Sequence, residues 1–502
     1  MRILFFHPQT RHSPVVEWGL DLIQCLIRDG HDVTVLTCGG ELASCEINLQ
    51  HRYSVCDKCI AKRRGGFALL DGSFTSAPFL KLSDANRREI AALPASFDSI
   101  DDLKRFEFDG CDLGMAAASS LISCTRDPQP DMRTHSGTAV NLVRSAVAVY
   151  RSIQNWLSES TFDRVYIFNG RTATFRAAFR AALKLGVDCH IYENANSIHA
   201  YQHFLNHLPH DIAYTHQLAL ETWTKSADTP AERELTARQF FEKASRGKSL
   251  INFVKHQDPT LLPEGFDPAR KNIVLFNSSE DEMAAIGAEW ANPMYDSQLA
   301  GLQRIRADID QLPADLMLYL RMHPHLRGVT SKFVEVQKNL DHPRFKVIPP
   351  ESSVSSYALM QAASTVVTFG STMGVEATYA RRPSILSGGA LYRDFGATYN
   401  PASHAELFAL LTQPLDPKPL EAALQYGFFL EAYGEPFTYY KPQTLHTGEF
   451  KGHRVSYGKW RDYFWGGIEC LPLFATALDR RYLENTLSRL GAPLTPNVDS
   501  SA

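Results

Sequence analysis

At 502 residues the chain exceeds the size at which one hydrophobic core stops growing, so two or more domains are expected. Its 44% hydrophobic and 21% charged residues exclude a disordered or collagen-like protein. A formal net charge of −4 offers no global basic field for nucleic acid, and no run of about eighteen apolar residues is present to span a bilayer.

The opening run Met1 to Phe6 is too short for a signal peptide and reads as a first strand over Arg2 to Phe6, so a cytoplasmic protein is expected, at most peripheral to a membrane. An apolar-periodic helix over about Val15 to Arg28 and a strand Val33 to Thr37 complete a strand-helix-strand unit. Residues from about 38 to 133 lack a clean period and read as an insertion. A second unit starts at Arg164 to Phe168, turns at Asn169-Gly170-Arg171, runs through an alanine-rich helix and resumes as the strand Cys189 to Tyr192. The polar stretch Lys225 to Arg246 reads as helix, and after Pro259, Pro263 and Pro268 the strand Asn272 to Phe276 opens a new alternating series. Strands follow at Leu316 to Leu320, Phe345 to Ile348 and Thr365 to Thr368, with helices over Ser356 to Ala363 and Gly374 to Ala380. This alternation predicts an α/β protein of two Rossmann-like domains, 1–260 and 261–425, facing a cleft. The aromatic segment 426–502 is expected to pack helices back on both halves.

Four groups of residues stand at predicted strand ends, where parallel sheets bind ligands. Gly370-Ser371-Thr372-Met373-Gly374-Val375-Glu376 follows a buried strand and opens a helix. Its glycines admit close approach and its N–H and hydroxyl donors suit a phosphate, with Glu376 placed to accept from a ribose. The competing reading is a plain helix cap with Glu376 favouring the dipole. Arg321-Met322-His323-Pro324 offers a guanidinium fork and a ring donor to an anion; alternatively His323 is a satisfied turn histidine. Ser278 and Ser279 are set to touch a donor phosphate, or to form a capping box with Glu282. In the N-terminal half, Glu193 is a candidate base for an acceptor hydroxyl, with Arg171 orienting it or holding an anionic sugar; a structural Arg–Glu pair is the alternative.

Cys38, Cys45, Cys56 and Cys59 form a C-x6-C-x10-C-x2-C series. Four thiolates there predict a structural zinc site, with an iron–sulfur cluster or free thiols as alternatives.

The set Asn169-Gly170-Arg171, Glu193, Ser278-Ser279-Glu280, Arg321-x-His323-Pro324 and Ser371-Thr372-x-Gly374-x-Glu376-Ala377 resembles bacterial capsule polysaccharide biosynthesis glycosyltransferases of GT-B architecture, including 3-deoxy-manno-octulosonate (Kdo) transferase relatives. The resemblance spans roughly residues 164 to 383. It implies that His323, Ser371 and Thr372 bind a nucleotide-sugar donor, that a carboxylate of the N-terminal half serves a glycan or lipid-linked glycan acceptor, and that transfer is inverting, with a CMP-activated donor as one option. A nucleotide-sugar epimerase, or a non-catalytic metal-stapled scaffold of polysaccharide assembly, is the alternative function.

Overall fold

The computed structural model describes residues 1–493. Its strands in chain order are β1 (Arg2–Phe6), β2 (Asp32–Thr37), β3 (Thr75–Pro78), β4 (Arg164–Phe168), β5 (Asp188–Asn194), β6 (Ala200–Leu205), β7 (Lys271–Phe276), β8 (Leu316–Arg321), β9 (Phe345–Ile348), β10 (Thr365–Thr368), β11 (Ser384–Leu386), β12 (Glu435–Pro436), β13 (Tyr440–Thr444) and β14 (Thr447–Phe450). Contacts divide the chain into two units. The first holds Met1–Thr125, Gln129–Pro209 and the chain from Gly434 on; the second holds His210–Tyr433 with the short segment Arg126–Pro128.

In the first unit the sheet order is β12-β6-β5-β4-β1-β2-β3. Strands β5, β4, β1, β2 and β3 run parallel, and β6 and β12 add antiparallel strands at one edge. The second unit has the wholly parallel order β11-β10-β7-β8-β9. Parallel strands covered on both faces read as unbroken apolar runs, and all six residues of β8 are buried. Both units are thus Rossmann-like, and the α/β class with two such domains read from the sequence is the one observed.

Three expectations about organisation change. The stretch 38–133 is not an irregular insertion: it contains the helices Tyr53–Phe67, Asp84–Ala91, Ile100–Arg105 and Leu113–Thr125, and β3 pairs with β2 as part of the sheet. The polar, proline-ended sequence of β3 hid it, and it sits at an edge, where a strand tolerates such residues. The division falls at Pro209–His210 rather than near residue 260, because the helices Ile212–Lys225 and Pro230–Ser245 pack against Leu420–Ala432 through Ala219, Phe240, Phe241, Ala423, Tyr426 and Phe429. The segment from Gly434 belongs with the first unit instead of bridging two halves. There the buried carboxylate of Asp21 accepts the main-chain N–H groups of Thr438, Tyr439 and Tyr440 at 3.3, 2.5 and 2.7 Å. Residues 494–502 of the aromatic segment lie outside the described residues.

Among the described residues no helix is long and apolar enough to cross a membrane. Exposed large apolar side chains concentrate in the helices Trp460–Glu469 and Pro472–Leu490 and the short link between them: Trp460, Tyr463, Phe464, Leu471, Leu473 and Phe474.

Candidate functional site

In the second unit the chain winds from β7 through β8 to β9 on one side, then crosses to β10 and β11 on the other. Strands β7 and β10 are therefore neighbours whose outgoing connections diverge, and the carboxyl ends at such a divergence are where open parallel sheets bind ligands. The two loops at that point are Asn277–Ser279 and Phe369–Thr372. Gly370 has φ +112°, and a Cβ there would stand 2.6 Å from the carbonyl oxygen of Gly389, so no other residue fits without displacement. Gly374 admits Tyr392, whose hydroxyl oxygen would lie 2.4 Å from an added Cβ; that hydroxyl donates to the Ser371 carbonyl.

The side chains here are already engaged within the unit. Ser371 Oγ accepts from the Met373 N–H at 3.3 Å, while the helix Met373–Tyr379 has Thr372 at its N-cap and no side-chain cap. Thr372 is exposed, and its hydroxyl donates to Glu376 Oε1 at 2.8 Å, while the Tyr357 hydroxyl donates to Glu376 Oε2. Burial raises the Glu376 carboxyl above its ordinary range, and these two donors partly offset it. Ser278 Oγ donates to the Phe369 carbonyl at 3.1 Å and so ties the two loops together. Ser279 Oγ donates to Asp281 Oδ1 at 2.6 Å; it makes no side-chain cap and hence no capping box with Glu282.

One strand away, the His323 N–H donates to Asn277 Oδ1 at 2.6 Å, fixing the loop after β8 to the loop after β7. His323 Nδ1 accepts from the His325 N–H at 3.2 Å. Burial, then the charges of His325 and Arg321, push its ring pKa down to about 4, so the ring is neutral near pH 7. Arg321 does not join this group: its guanidinium donates to the carbonyls of Pro349 and Ser352 at 2.6 and 3.2 Å.

Sequence reasoning missed three participants. Arg126 donates to Asp281 and Ser279 and lies 3.1 Å from His325 Nε2. Asp281 and His325 adjoin the motifs already singled out, whereas Arg126 carried no sequence signal apart from its charge.

In the first unit the equivalent divergence lies between β1 and β4. Asn169 and Gly170 take consecutive left-handed conformations, φ 56° and 73°, which turn the chain sharply after β4. Asn169 Nδ2 donates to Glu193 at the end of the adjacent β5, and Glu193 Oε1 accepts from the Asn194 N–H at 2.8 Å. Burial raises the Glu193 carboxyl; the Asn169 bond, the Asn194 bond and the field of Arg171 act against it. Arg171 donates to Ser123 Oγ at 2.9 Å. Glu46, unforeseen, accepts from the Thr174 N–H at 3.0 Å at the start of the helix Ala173–Lys184, where an acid complements the helix dipole.

The cysteine site is corrected. Cys38, Cys45, Cys56 and Cys59 border one apolar cavity of about 20 Å³, but among the described residues no three His, Cys, Asp or Glu side chains are gathered to hold a metal ion. Cys56 and Cys59 lie on the helix Tyr53–Phe67 rather than in a metal-binding knuckle. Burial pushes the Cys56 thiol up to about 11 and those of Cys38 and Cys45 further, so without a metal they are neutral thiols.

Residues 291–430 match a family model described as Capsule polysaccharide biosynthesis protein. The matched stretch lies within the second unit. It includes β8 to β11 and the loops that hold His323 and Gly370–Glu376. No curated protein matches the chain. Among solved structures, the KpsC β-Kdo 2,4 transferase of Thermosulfurimonas dismutans is 16% identical over 53% of this chain and 79% of its own, with a TM-score of 0.36. The UDP-GlcNAc 2-epimerase of Methanocaldococcus jannaschii is 11% identical over 85% and 98%, with a TM-score of 0.27. TM-scores of this size decide between neither activity.

Proposed function

We propose that this protein is a glycosyltransferase of surface polysaccharide synthesis that moves a sugar from a nucleotide-sugar donor to a glycan or lipid-linked glycan acceptor. The observation that carries this reading is the divergence of β7 and β10 inside the unit that holds the matched stretch, with Ser278–Ser279 and Gly370–Thr372 on its two sides and His323 tied to Asn277 beside it. The second unit takes the donor and the first takes the acceptor.

In the proposed reaction Glu193 accepts the proton of an acceptor hydroxyl, whose oxygen attacks the anomeric carbon. The bond from that carbon to the phosphate oxygen breaks, and the leaving nucleotide phosphate keeps the electron pair. Donors at Gly370–Thr372 and the neutral ring of His323 stabilise it. A single displacement inverts the anomeric centre. The resemblance to Kdo transferase relatives supports a CMP-activated donor. Asn169 and Arg171 are positioning residues for Glu193.

The exposed aromatic and leucine side chains of residues 460–474 support peripheral attachment to a membrane surface, where a lipid-linked acceptor resides.

Nucleotide release measured with a panel of donors and glycan acceptors tests the reading. Loss of release in a His323→Ala, Ser371→Ala double variant is expected; turnover like the native protein's rejects the donor site. Product analysis with donor alone separates transfer from epimerisation.

A further inference from the structure

Arg321 is a buried cation whose partners are unusual. It is 1% exposed, its guanidinium donates to the main-chain carbonyls of Met322, Pro349 and Ser352, and its Nε has no hydrogen-bond partner among the described residues. Carbonyl dipoles replace only part of the solvation that a buried guanidinium loses, and full compensation requires an anion with hydrogen-bonding oxygens. Glu351, the acid whose field reaches Arg321, lies 3.7 Å from Lys338 Nζ.

Arg321 lines a cavity of about 120 Å³ within the second unit. Arg327, exposed, adds a second guanidinium to its wall, and its Nη2 donates to the carbonyl of Glu351 at 3.1 Å. His256, Asn252, Gln257 and Ser352 complete the polar lining, and Phe253 forms an apolar wall whose ring stands 4.9 Å from that of His323. Arg321 ends β8, and Pro349 to Ser352 follow β9, so the cavity opens beyond the carboxyl ends of two parallel strands. It is distinct from the loops after β7 and β10.

We propose that this cavity is a phosphoryl-binding site, in which Arg321 and Arg327 together take a phosphate dianion and His256, Asn252 or Ser352 donate to its remaining oxygens. Two planar guanidiniums match the charge and the paired oxygens of a phosphate better than a single carboxylate would. The phosphoryl group belongs either to the nucleotide donor or to a phosphorylated second substrate. The site stands apart from the transferase reading, because binding of phosphate requires no sugar transfer.

Binding of inorganic phosphate to the full chain, followed by calorimetry at constant ionic strength with chloride as the balancing anion, tests it. Arg327→Ala removes an exposed side chain and leaves the carbonyl bonds of Arg321 intact, so the fold is expected to survive, as circular dichroism would show. The affinity for phosphate is expected to fall roughly tenfold or more in that variant and in His256→Ala, Arg327→Ala, and to stay unchanged in Arg133→Ala, which removes an exposed arginine of the first unit. Equal affinity in Arg327→Ala and the native protein overturns the site, as does loss of phosphate binding only in a Ser371→Ala, Thr372→Ala variant. Competition of CMP or UDP with phosphate for the Arg327-dependent site supports it as a donor phosphate subsite, and independent binding of the two supports it as a subsite for another phosphorylated substrate.

Discussion

The side-chain amide of Asn169, held in a left-handed turn after β4, donates a hydrogen bond to the carboxylate of Glu193 at the end of β5. This bond favours the charged form of a carboxyl that burial otherwise pushes towards the neutral one. A general base works only when deprotonated, so the acid limb of kcat/KM is expected above the ordinary carboxylate range, and Glu193→Gln is expected to remove the limb and lower kcat on the order of a hundredfold or more. Asn169→Gly keeps the left-handed backbone but deletes the donor; the limb then moves to higher pH. A pH–rate profile of each variant measures this, and an unmoved limb in Asn169→Gly would show that another group titrates.

Histidines that the fold holds neutral make the protein acid-sensitive. Burial pushes His7 down to about 3 and His323 to about 4, both below the ordinary value near 6.5. Between those values the unfolded chain binds more protons than the folded one, so stability is full above pH 6.5 and falls as the pH drops towards 4 and then 3. Urea unfolding midpoints at pH 7, 5.5 and 4.5 are expected to decline in that order. His7→Gln, which removes the more deeply buried ring, is expected to flatten the decline.

Gly370→Ala introduces a Cβ 2.6 Å from the Gly389 carbonyl at a φ of +112°. Left-handed strain and the collision together are expected to cost about 1–3 kcal/mol in chemical denaturation. Donor affinity is expected to weaken as well, because the same backbone forms the loop after β10.

Glu376 has both oxygens occupied by Tyr357 and Thr372. Tyr357→Phe leaves the buried carboxylate short of one donor and is expected to lower stability by about 1–3 kcal/mol. Nucleotide affinity in that variant is expected to change less than in His323→Ala. The reverse order, measured by calorimetry on folded protein, would restore Glu376 to the ribose role that its sequence position suggested.

The apolar side chains at 460–474 are expected to bring the protein down with sedimenting vesicles of anionic phospholipid. Combined Phe464→Ser, Leu473→Ser, Phe474→Ser replacement, all at exposed positions, is expected to abolish co-sedimentation without lowering the melting temperature. Co-sedimentation equal to the native protein's would direct the search to another surface.

Periodicity alone determined much of this protein. The strands β1, β4, β7, β8 and β10 are short runs of apolar residues bounded by turns, and that pattern follows from burial on both faces of a parallel sheet whatever the rest of the chain does. The glycine-containing turns at Gly170 and Gly370 were legible for the same local reason. Tertiary structure decided what depends on contacts distant in sequence. It made the polar Thr75–Pro78 a strand by pairing it with β2, and returned the chain from Gly434 to the first unit through Asp21. It set four cysteines around an apolar cavity without gathering a metal-binding set, since spacing along a chain does not fix the direction of side chains on a helix. It also turned Glu376 inward onto Tyr357 and separated Arg321 from His323, because the strand ends at Arg321 and His323 already caps the turn Pro324–Leu326 that redirects the chain. A carboxylate or guanidinium takes whichever partner the fold brings within hydrogen-bonding reach, and that choice is not written in its neighbours.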